Sequence, residues 1–136
     1  VPCDAGERDV VAATLATLNR ASISFPPDHG ARVITTILSD PALRAEWEAE
    51  LTEMRERMAD LRRALATALR DACGSDRFGY LADQRGMFSV LGGDEAQTAR
   101  LREEFGVYLV GGGRLNMAGL TMDAIPQVAK AIAAVL

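Results

Sequence analysis

Residues 40–74 read DPALRAEWEAELTEMRERMADLRRALATALRDACG and contain the clearest structural pattern of the chain. Asp40 is suited to be an N-cap, and Pro41 fits the first helical position because its missing N–H would have no helical partner there. Gly74 is suited to follow a helix in the left-handed conformation. Between them, apolar side chains recur at helical spacing: Leu43, Trp47, Leu51, Met54, Met58, Leu61, Leu65 and Leu69. The pattern predicts one helix of roughly 32 residues, about 48 Å long.

Shorter elements are predicted on both sides of this helix. Two helices precede it, from Gly6 to about Leu18 with Asp4 as N-cap, and from His29 to Leu38, with Pro26-Pro27 between them. The later strands are predicted at Phe78–Ala82, Met87–Leu91, Val107–Val110 and Arg114–Met117. A helix capped by Asp94 runs to about Phe105 and is ended by Gly106. Asp123 is suited to cap a last helix, whose buried side is predicted to consist of Ile125, Val128, Ile132 and Val135. The predicted fold class is α+β, in which a long helix accompanies a small, mostly antiparallel sheet covered by helices. A compact domain of this length is only about 37 Å across, so the long helix is expected to connect two bodies or to pack against a partner.

Composition restricts the classes of function. The chain has 136 residues, 49% hydrophobic and 25% charged, with a net charge of −4, which is typical of one soluble domain or part of a larger one. No apolar run reaches the roughly 18–20 residues of a membrane span, and no signal peptide is recognisable, so a cytoplasmic location is expected. The acidic balance disfavours nucleic acid as a partner, and the arginines between Arg55 and Arg70 alternate with acidic residues as on a solvated helix face.

Metal binding and disulfide formation are not expected. Cys3 and Cys73 lack the spacing of a metal site, and nothing suggests a secreted protein in which they would pair. His29 is the only histidine and has no cysteine nearby.

An arginine that follows three glycines is the main candidate for binding. A guanidinium presents a planar set of N–H donors that matches a carboxylate with two bonds, and Arg114 directly follows Gly111–Gly113. The glycines permit a close approach to a ligand or simply form a tight turn. From spacing alone, a surface ion pair is the more common role for such an arginine. A phosphate-binding loop is disfavoured because no helix with an initial lysine follows the glycines.

Five segments, in unchanged order, resemble the class I aminotransferases of the aspartate and aromatic-amino-acid type. The segments are Pro26-Pro27-Asp28-His29-Gly30-Ala31, Leu43-Arg44-Ala45-Glu46-Trp47-Glu48, Gly86-Met87-Phe88-Ser89, Arg102-Glu103-Glu104-Phe105-Gly106-Val107-Tyr108 and the tract from Gly111 to Leu120. The similarity extends from about Arg20 to Leu136. It implies the fold of the small C-terminal domain of these enzymes, preceded by the helix that connects it to the large domain.

The resemblance assigns substrate-binding roles to three residues. Arg114 would bind the α-carboxylate of the amino acid, and Phe88 would line the pocket wall. Arg20 would reach across a homodimer to the distal carboxylate of a dicarboxylic substrate. Ile23, Phe25 and Val90 depart from the residues that are usual in the family: tyrosine, asparagine and a second aromatic residue. The preference between aspartate and aromatic substrates therefore stays open.

The resemblance also predicts what the chain lacks. These enzymes hold pyridoxal 5′-phosphate through a Schiff-base lysine, and the only lysine of the sequence is Lys130, beside Ala129 and Ala131 on a helix where a solvated cation is expected. In the family the Schiff-base lysine precedes the position of Arg20 and would fall before Val1. We therefore expect no catalytic residue and no bound cofactor in this chain, which would be inactive alone although its parent transfers an amino group from an amino acid to a 2-oxo acid such as 2-oxoglutarate.

The predicted division places residues 1–50 in a remnant of the large cofactor domain and the start of the connecting helix, and residues 51–136 in the small domain. The first residue is Val1 rather than methionine, which favours a chain cut from a longer protein. The alternative is a non-catalytic dimerisation or interaction module derived from this fold, since an apolar helix stripe without its usual partner needs another. A small-ligand binder that retains only Arg114 is a third hypothesis.

Overall fold

A computed structural model describes residues 4–24 and 27–136. The helices are α1 (Ala5–Ser22), α2 (His29–Ser39), α3 (Pro41–Cys73), α4 (Glu95–Phe105) and α5 (Ile125–Val135), and the strands are β1 (Phe88–Val90) and β2 (Arg114–Asn116). Short 3-10 helices span Gly79–Ala82, Met117–Gly119 and Met122–Ala124. The chain forms two compact units, one ending at Trp47 and the other comprising Glu48–Leu136. The predicted domain division, after residue 50, remains a prediction about the parent protein.

The predicted long helix is confirmed as α3, which has 33 residues. Its first turn is capped by the carboxylate of Asp40, which accepts from the backbone N–H groups of Ala42 and Leu43 at 2.8 and 3.1 Å. Gly74 follows the helix with a φ of +62°, as the sequence predicts. The buried residues of α3 all belong to the second unit: Leu61, Arg62, Leu65, Ala66 and Leu69.

The first unit contains the two predicted N-terminal helices. The Asp4 carboxylate accepts from the N–H of Glu7 at 2.8 Å, so the expected N-cap of α1 is present. Neither α1 nor α2 has a buried residue. Their exposed apolar side chains include Val10, Val11, Leu15, Leu18, Val33, Ile34 and Leu38. Four residues named in the predictions lie outside the described residues: Val1, Cys3, Phe25 and Pro26.

The hydrophobic core lies in the second unit. It joins the second half of α3 to α5, whose predicted apolar side is confirmed by the burial of Ile125, Val128, Ile132 and Val135. Each large aliphatic side chain buried in this way contributes about 1.5–3 kcal/mol. The helix α4 packs on α5 and has the predicted ends, Asp94 as N-cap and Gly106 at a φ of +67°. The structure adds that Asp94 and Gln97 form a capping box.

Two predicted strands are wrong. The segment Phe78–Ala82 forms a 3-10 turn because the carbonyl of Phe78 accepts from Leu81 N–H, which places both side chains in the core three residues apart. The segment Val107–Val110 has only an isolated bridge from Val110 to Arg114, across the tight turn at the glycines. Two predicted strands are confirmed in shorter form as β1 and β2, so the fold is mostly helical with a two-stranded antiparallel sheet.

The predicted cap of the last helix is also wrong. Asp123 lies in the 3-10 turn Met122–Ala124, and α5 begins at Ile125 with no side-chain cap. Pro126 occupies its first turn, where a missing N–H costs no helical hydrogen bond.

Two properties of residues 4–24 and 27–136 concern membrane insertion and metal binding. None of their helices is long and apolar enough to cross a bilayer. Within the same residues, no three histidine, cysteine or carboxylate side chains converge as metal ligands, and Cys73 has a free thiol.

Candidate functional site

The candidate site is the open face of the two-stranded sheet. The strands pair Phe88 with Asn116, Ser89 with Leu115 and Val90 with Arg114. Because side chains alternate along a strand, the middle pair points into the core and the outer pairs point away from it. Ser89 and Leu115 are accordingly 3% and 4% exposed. We call the exposed side, formed by Phe88, Val90, Arg114 and Asn116, the Arg114 face.

Arg114 and Phe88 meet on this face. They are diagonal neighbours across the two strands, and the guanidinium carbon of Arg114 lies 5.0 Å from the centroid of the Phe88 ring. This distance is within the range of a cation–π interaction. Within the described part of the chain, the Arg114 guanidinium makes no hydrogen bond or ion pair. The surface ion pair that spacing alone favours is therefore not observed there, and the Arg114 side chain is exposed with its N–H donors unused by any described residue.

Gly113 sets the position at which β2 begins. Its φ is +70°, and a β-carbon at this residue would lie 2.1 Å from the carbonyl oxygen of Gly92. The N–H of Leu91 donates to the carbonyl of Gly113 at 2.9 Å, which ties the two glycine-containing loops together. The close approach that the glycines permit is thus an approach of backbone to backbone, directly before Arg114.

The far end of β2 is held by side chains. The Asn116 carboxamide oxygen accepts from Ala118 N–H at 3.1 Å and caps the 3-10 turn that follows. Arg57 of α3 donates to the carbonyls of Ala118 and Leu120 at 3.4 and 2.9 Å. The tract that contains Arg114 is therefore fixed to α3 at its C-terminal end.

The prediction of a fully solvated arginine face on α3 is wrong at Arg62. Arg62 is 1% exposed, and burial lowers the pKa of its guanidinium below the ordinary value. Its position offered a signal, because Arg62 lies three residues before Leu65 and four before Ala66, on the apolar stripe of the helix. The alternation of charge along the sequence concealed this placement.

Tyr80 is a second residue that sequence reasoning missed. Its hydroxyl donates to the carbonyl of Val90 at 2.8 Å, at the edge of β1 that does not face β2. Burial raises the pKa of Tyr80 above its ordinary value of 10.0, against the opposing charge of Arg77. The neutral phenol, which is the form that donates to Val90, is thus favoured by folding.

We expect the stability that this phenol provides to be lost in alkali. Because the pKa of Tyr80 is raised on folding, the contribution of Tyr80 to the free energy of unfolding is complete below pH 10.0. This contribution disappears as the pH rises through the higher pKa of the folded state. In a Tyr108→Phe variant Tyr80 is the only remaining tyrosine, so the ultraviolet absorption of tyrosinate follows its ionisation alone. An alkaline loss of stability that persists unchanged in Tyr80→Phe would contradict this assignment.

Arg20 lies in the first unit. It occupies the last turn of α1, where a cation interacts favourably with the helix dipole, and its side chain is exposed. No described residue forms a hydrogen bond or an ion pair with its guanidinium. The structure thus brings together two of the three predicted site residues, Arg114 and Phe88.

The surroundings of Lys130 do not fit pyridoxal phosphate. Lys130 is exposed on α5 and borders a shallow groove lined by Ala68, Asp71, Ala72, Pro126, Ala129, Ala133 and Ala134. These neighbours include no cation that could bind the phosphate of the cofactor and no aromatic ring that could stack on its pyridine ring. We therefore assign no chemical step to Lys130.

Comparison with known proteins identifies the family. The family model for aminotransferase class I and II matches residues 4–132, and the chain belongs to this family. It is 51% identical over 129 residues to an aromatic-amino-acid aminotransferase of Paracoccus denitrificans, covering 95% of this chain and 33% of that protein. It is 49% identical over 117 residues to an aspartate aminotransferase of Escherichia coli, covering 86% of this chain and 30% of that protein.

Solved structures agree with this assignment. An aromatic amino acid aminotransferase determined with 3-indolebutyric acid has a TM-score of 0.88 and 51% identity, covering 97% of this chain and 34% of that one. An aromatic-amino-acid aminotransferase from Burkholderia pseudomallei, covalently bound to pyridoxal phosphate, has a TM-score of 0.85 and 41% identity, covering all of this chain and 34% of that one. The chain thus spans about a third of the length of the relatives that it matches.

Proposed function

We propose that this chain is the C-terminal part of an aminotransferase of the aspartate or aromatic type, and that it binds the substrate carboxylate. The observation that carries the proposal is the Arg114 face, where a guanidinium with no hydrogen bond or ion pair to a described residue lies 5.0 Å from the ring of Phe88. The parent enzyme would transfer an amino group between an amino acid and a 2-oxo acid.

Arg114 would bind the α-carboxylate through two parallel N–H···O bonds, and the planar guanidinium would set the orientation of the substrate. Phe88 keeps the guanidinium in place and offers an apolar surface to the substrate side chain. Fixing the substrate in this way removes translational and rotational freedom before the reaction. Pyridoxal phosphate, held by the rest of the parent enzyme, would supply the electron sink for amino transfer.

Arg20 would bind the distal carboxylate of a dicarboxylic substrate in the neighbouring subunit of a homodimer. Its exposed position at the end of α1 is compatible with this role. The relatives named above include enzymes called aspartate and aromatic-amino-acid aminotransferases, so both substrate classes are retained. We place the parent enzyme in the cytoplasm, with residues 1–50 in its large domain and residues 51–136 in its small domain.

Amino-transfer assays test the proposal. The longer protein that contains this chain should transfer the amino group of aspartate or an aromatic amino acid to 2-oxoglutarate, whereas the 136-residue chain should not. Titration of the chain with pyridoxal phosphate should give no saturable band of a lysine-bound cofactor, because the environment of Lys130 does not fit the cofactor. One-to-one binding with amino-acid turnover by the chain alone would overturn this division of roles.

The alternative is a non-catalytic dimerisation module. The observation that favours it is the exposed apolar surface of α1 and α2, which have no buried residue. The same assay separates the two functions, since a longer protein that binds no amino acid and transfers no amino group would favour the module.

A further inference from the structure

The sheet that carries Arg114 and Phe88 is too small to maintain its own geometry. Each strand has three residues, and a two-stranded ribbon of this size is marginally stable in water. A slip of one residue would turn every side chain to the opposite face, so that Phe88 would point into the core. The Arg114 face therefore depends on contacts from outside the two strands.

Contacts of this kind lie along the free edge of β1. Towards β2, the carbonyl of Met87 accepts from Met117 N–H at 2.7 Å. The carbonyls of Phe88 and Val90 instead accept hydrogen bonds at the other edge. Arg62 donates to the Phe88 carbonyl at 3.2 Å, and the Tyr80 hydroxyl donates to the Val90 carbonyl at 2.8 Å. Both carbonyls of the unpaired edge thus accept hydrogen bonds from side chains outside the sheet, one on α3 and one in the 3-10 turn Gly79–Ala82.

Arg62 makes the larger set of these contacts. Besides the Phe88 carbonyl, Arg62 donates to the carbonyls of Gly86 at 2.7 Å and Leu81 at 3.5 Å, and to the Ser89 hydroxyl at 2.5 Å. That hydroxyl donates in turn to the side chain of Gln84 at 2.7 Å. One rigid guanidinium therefore holds the turn before β1 and the strand itself.

The partners of Arg62 are all neutral oxygens. In the part of the chain that the structure describes, no carboxylate pairs with this buried cation. A buried charge is stable only when its donors are satisfied, so any shift of β1 would leave N–H groups unpaired in the core. This penalty opposes movement of the strand.

We propose that Arg62 is a positioning residue for the Arg114 face. It fixes the register of β1 and thereby keeps the Phe88 ring against the Arg114 guanidinium. Its consequence for substrate binding rests on the proposed function: loss of Arg62 weakens carboxylate binding although Arg62 itself lies in the core, away from the exposed face.

The first test measures the geometry without reference to function. In the full chain, the Phe88 ring should shift the NMR signals of the Arg114 side-chain protons, and Phe88→Leu defines the unshifted position. We expect Arg62→Lys, which keeps the charge but not the planar fork, to lose most of this shift. Arg63→Met is the matched control, since Arg63 is exposed and, among the described residues, pairs only with Asp60. A folded Arg62→Lys protein with the native shift would overturn the proposal. If that variant does not fold, Ser89→Ala removes a single acceptor of Arg62 and should reduce the shift, and an unchanged shift would again overturn it.

The second test uses the longer protein that contains the chain. Arg62→Lys should raise KM for the amino acid about 10- to 100-fold with a much smaller change in kcat, and Arg63→Met should change neither. An unchanged KM of the folded Arg62→Lys enzyme, together with a raised KM in Arg114→Lys, would show that the role of Arg62 is purely structural and would overturn the proposal. A lost ring-current shift with an unchanged KM, together with an unchanged KM in Arg114→Lys, would support the positioning by Arg62 and refute the carboxylate-binding function of the face.

Discussion

Replacement of Gly113 by alanine is expected to lower the free energy of unfolding by about 2–5 kcal/mol and to displace Arg114. The added β-carbon would lie 2.1 Å from the carbonyl oxygen of Gly92, which is backbone and cannot rotate away. The φ of +70° adds the cost of a left-handed conformation for a residue with a side chain. Urea unfolding followed by circular dichroism measures the change, because both loops belong to the second unit, which contains the hydrophobic core.

The neighbouring glycines provide matched controls. Gly112 has a φ of +79° but no atom within 4 Å of an added β-carbon, so Gly112→Ala should cost only the conformational term of about 1–2 kcal/mol. Gly111 has neither a positive φ nor a close atom, and Gly111→Ala should change stability by less than about 0.5 kcal/mol. Equal effects at all three positions would show that the contact with Gly92 does not determine the start of β2.

These three glycines show which part of the site geometry the sequence predicts and which part it does not. The run Gly111–Gly113 predicts either a tight turn or a close approach to a ligand, and the sequence cannot decide between them. The structure shows that only Gly113 makes a close approach, and that its neighbour is Gly92, about twenty residues earlier. A contact at this separation depends on the pairing of β1 with β2, which local composition does not encode.

The sequence predicts the helices well because their signals are local. The apolar stripe of α3 and its cap at Asp40 lie within one element, as do the capping residues of α4. Short apolar runs are ambiguous, and Phe78–Ala82 has the composition of a strand although burial of Phe78 and Leu81 selects a turn. The sequence also does not predict the burial of Arg62, since a buried cation is unusual and its acceptors belong to residues 19 to 27 positions away.

The resemblance to a family supplied what local patterns lacked for the candidate site. It singled out Arg114 and Phe88 from separate strands, and the structure places them 5.0 Å apart. Their roles in substrate binding, and that of Arg20, remain predictions.

Replacement of Arg114 by lysine in the longer protein is expected to lower kcat/KM for amino acids about 10- to 100-fold for each carboxylate bond that is lost, and Arg114→Ala should have a larger effect. Lysine keeps the charge but offers a single donor centre, so it cannot form the two parallel bonds of a guanidinium. Arg100→Lys is the control, because Arg100 pairs with Glu104 on the surface of α4. An unchanged kcat/KM in Arg114→Lys would contradict the carboxylate-binding role.

The melting temperature and a substrate without an α-carboxylate distinguish a role of Arg114 in substrate binding from an effect on folding. The Arg114 guanidinium has no hydrogen bond with a described residue, so its replacement forfeits mainly the contact with Phe88, worth about 0.5–1 kcal/mol at an exposed site. The melting temperature should therefore change little while the rate falls strongly. The loss of kcat/KM should also depend on the substrate. An amine without an α-carboxylate should react slowly with the native enzyme and at a similar rate with the Arg114→Lys enzyme. The reason is that such an amine cannot form the carboxylate bonds with Arg114 in either enzyme. An equal loss for substrates with and without the carboxylate would indicate that Arg114 acts on the folded state instead of on the substrate.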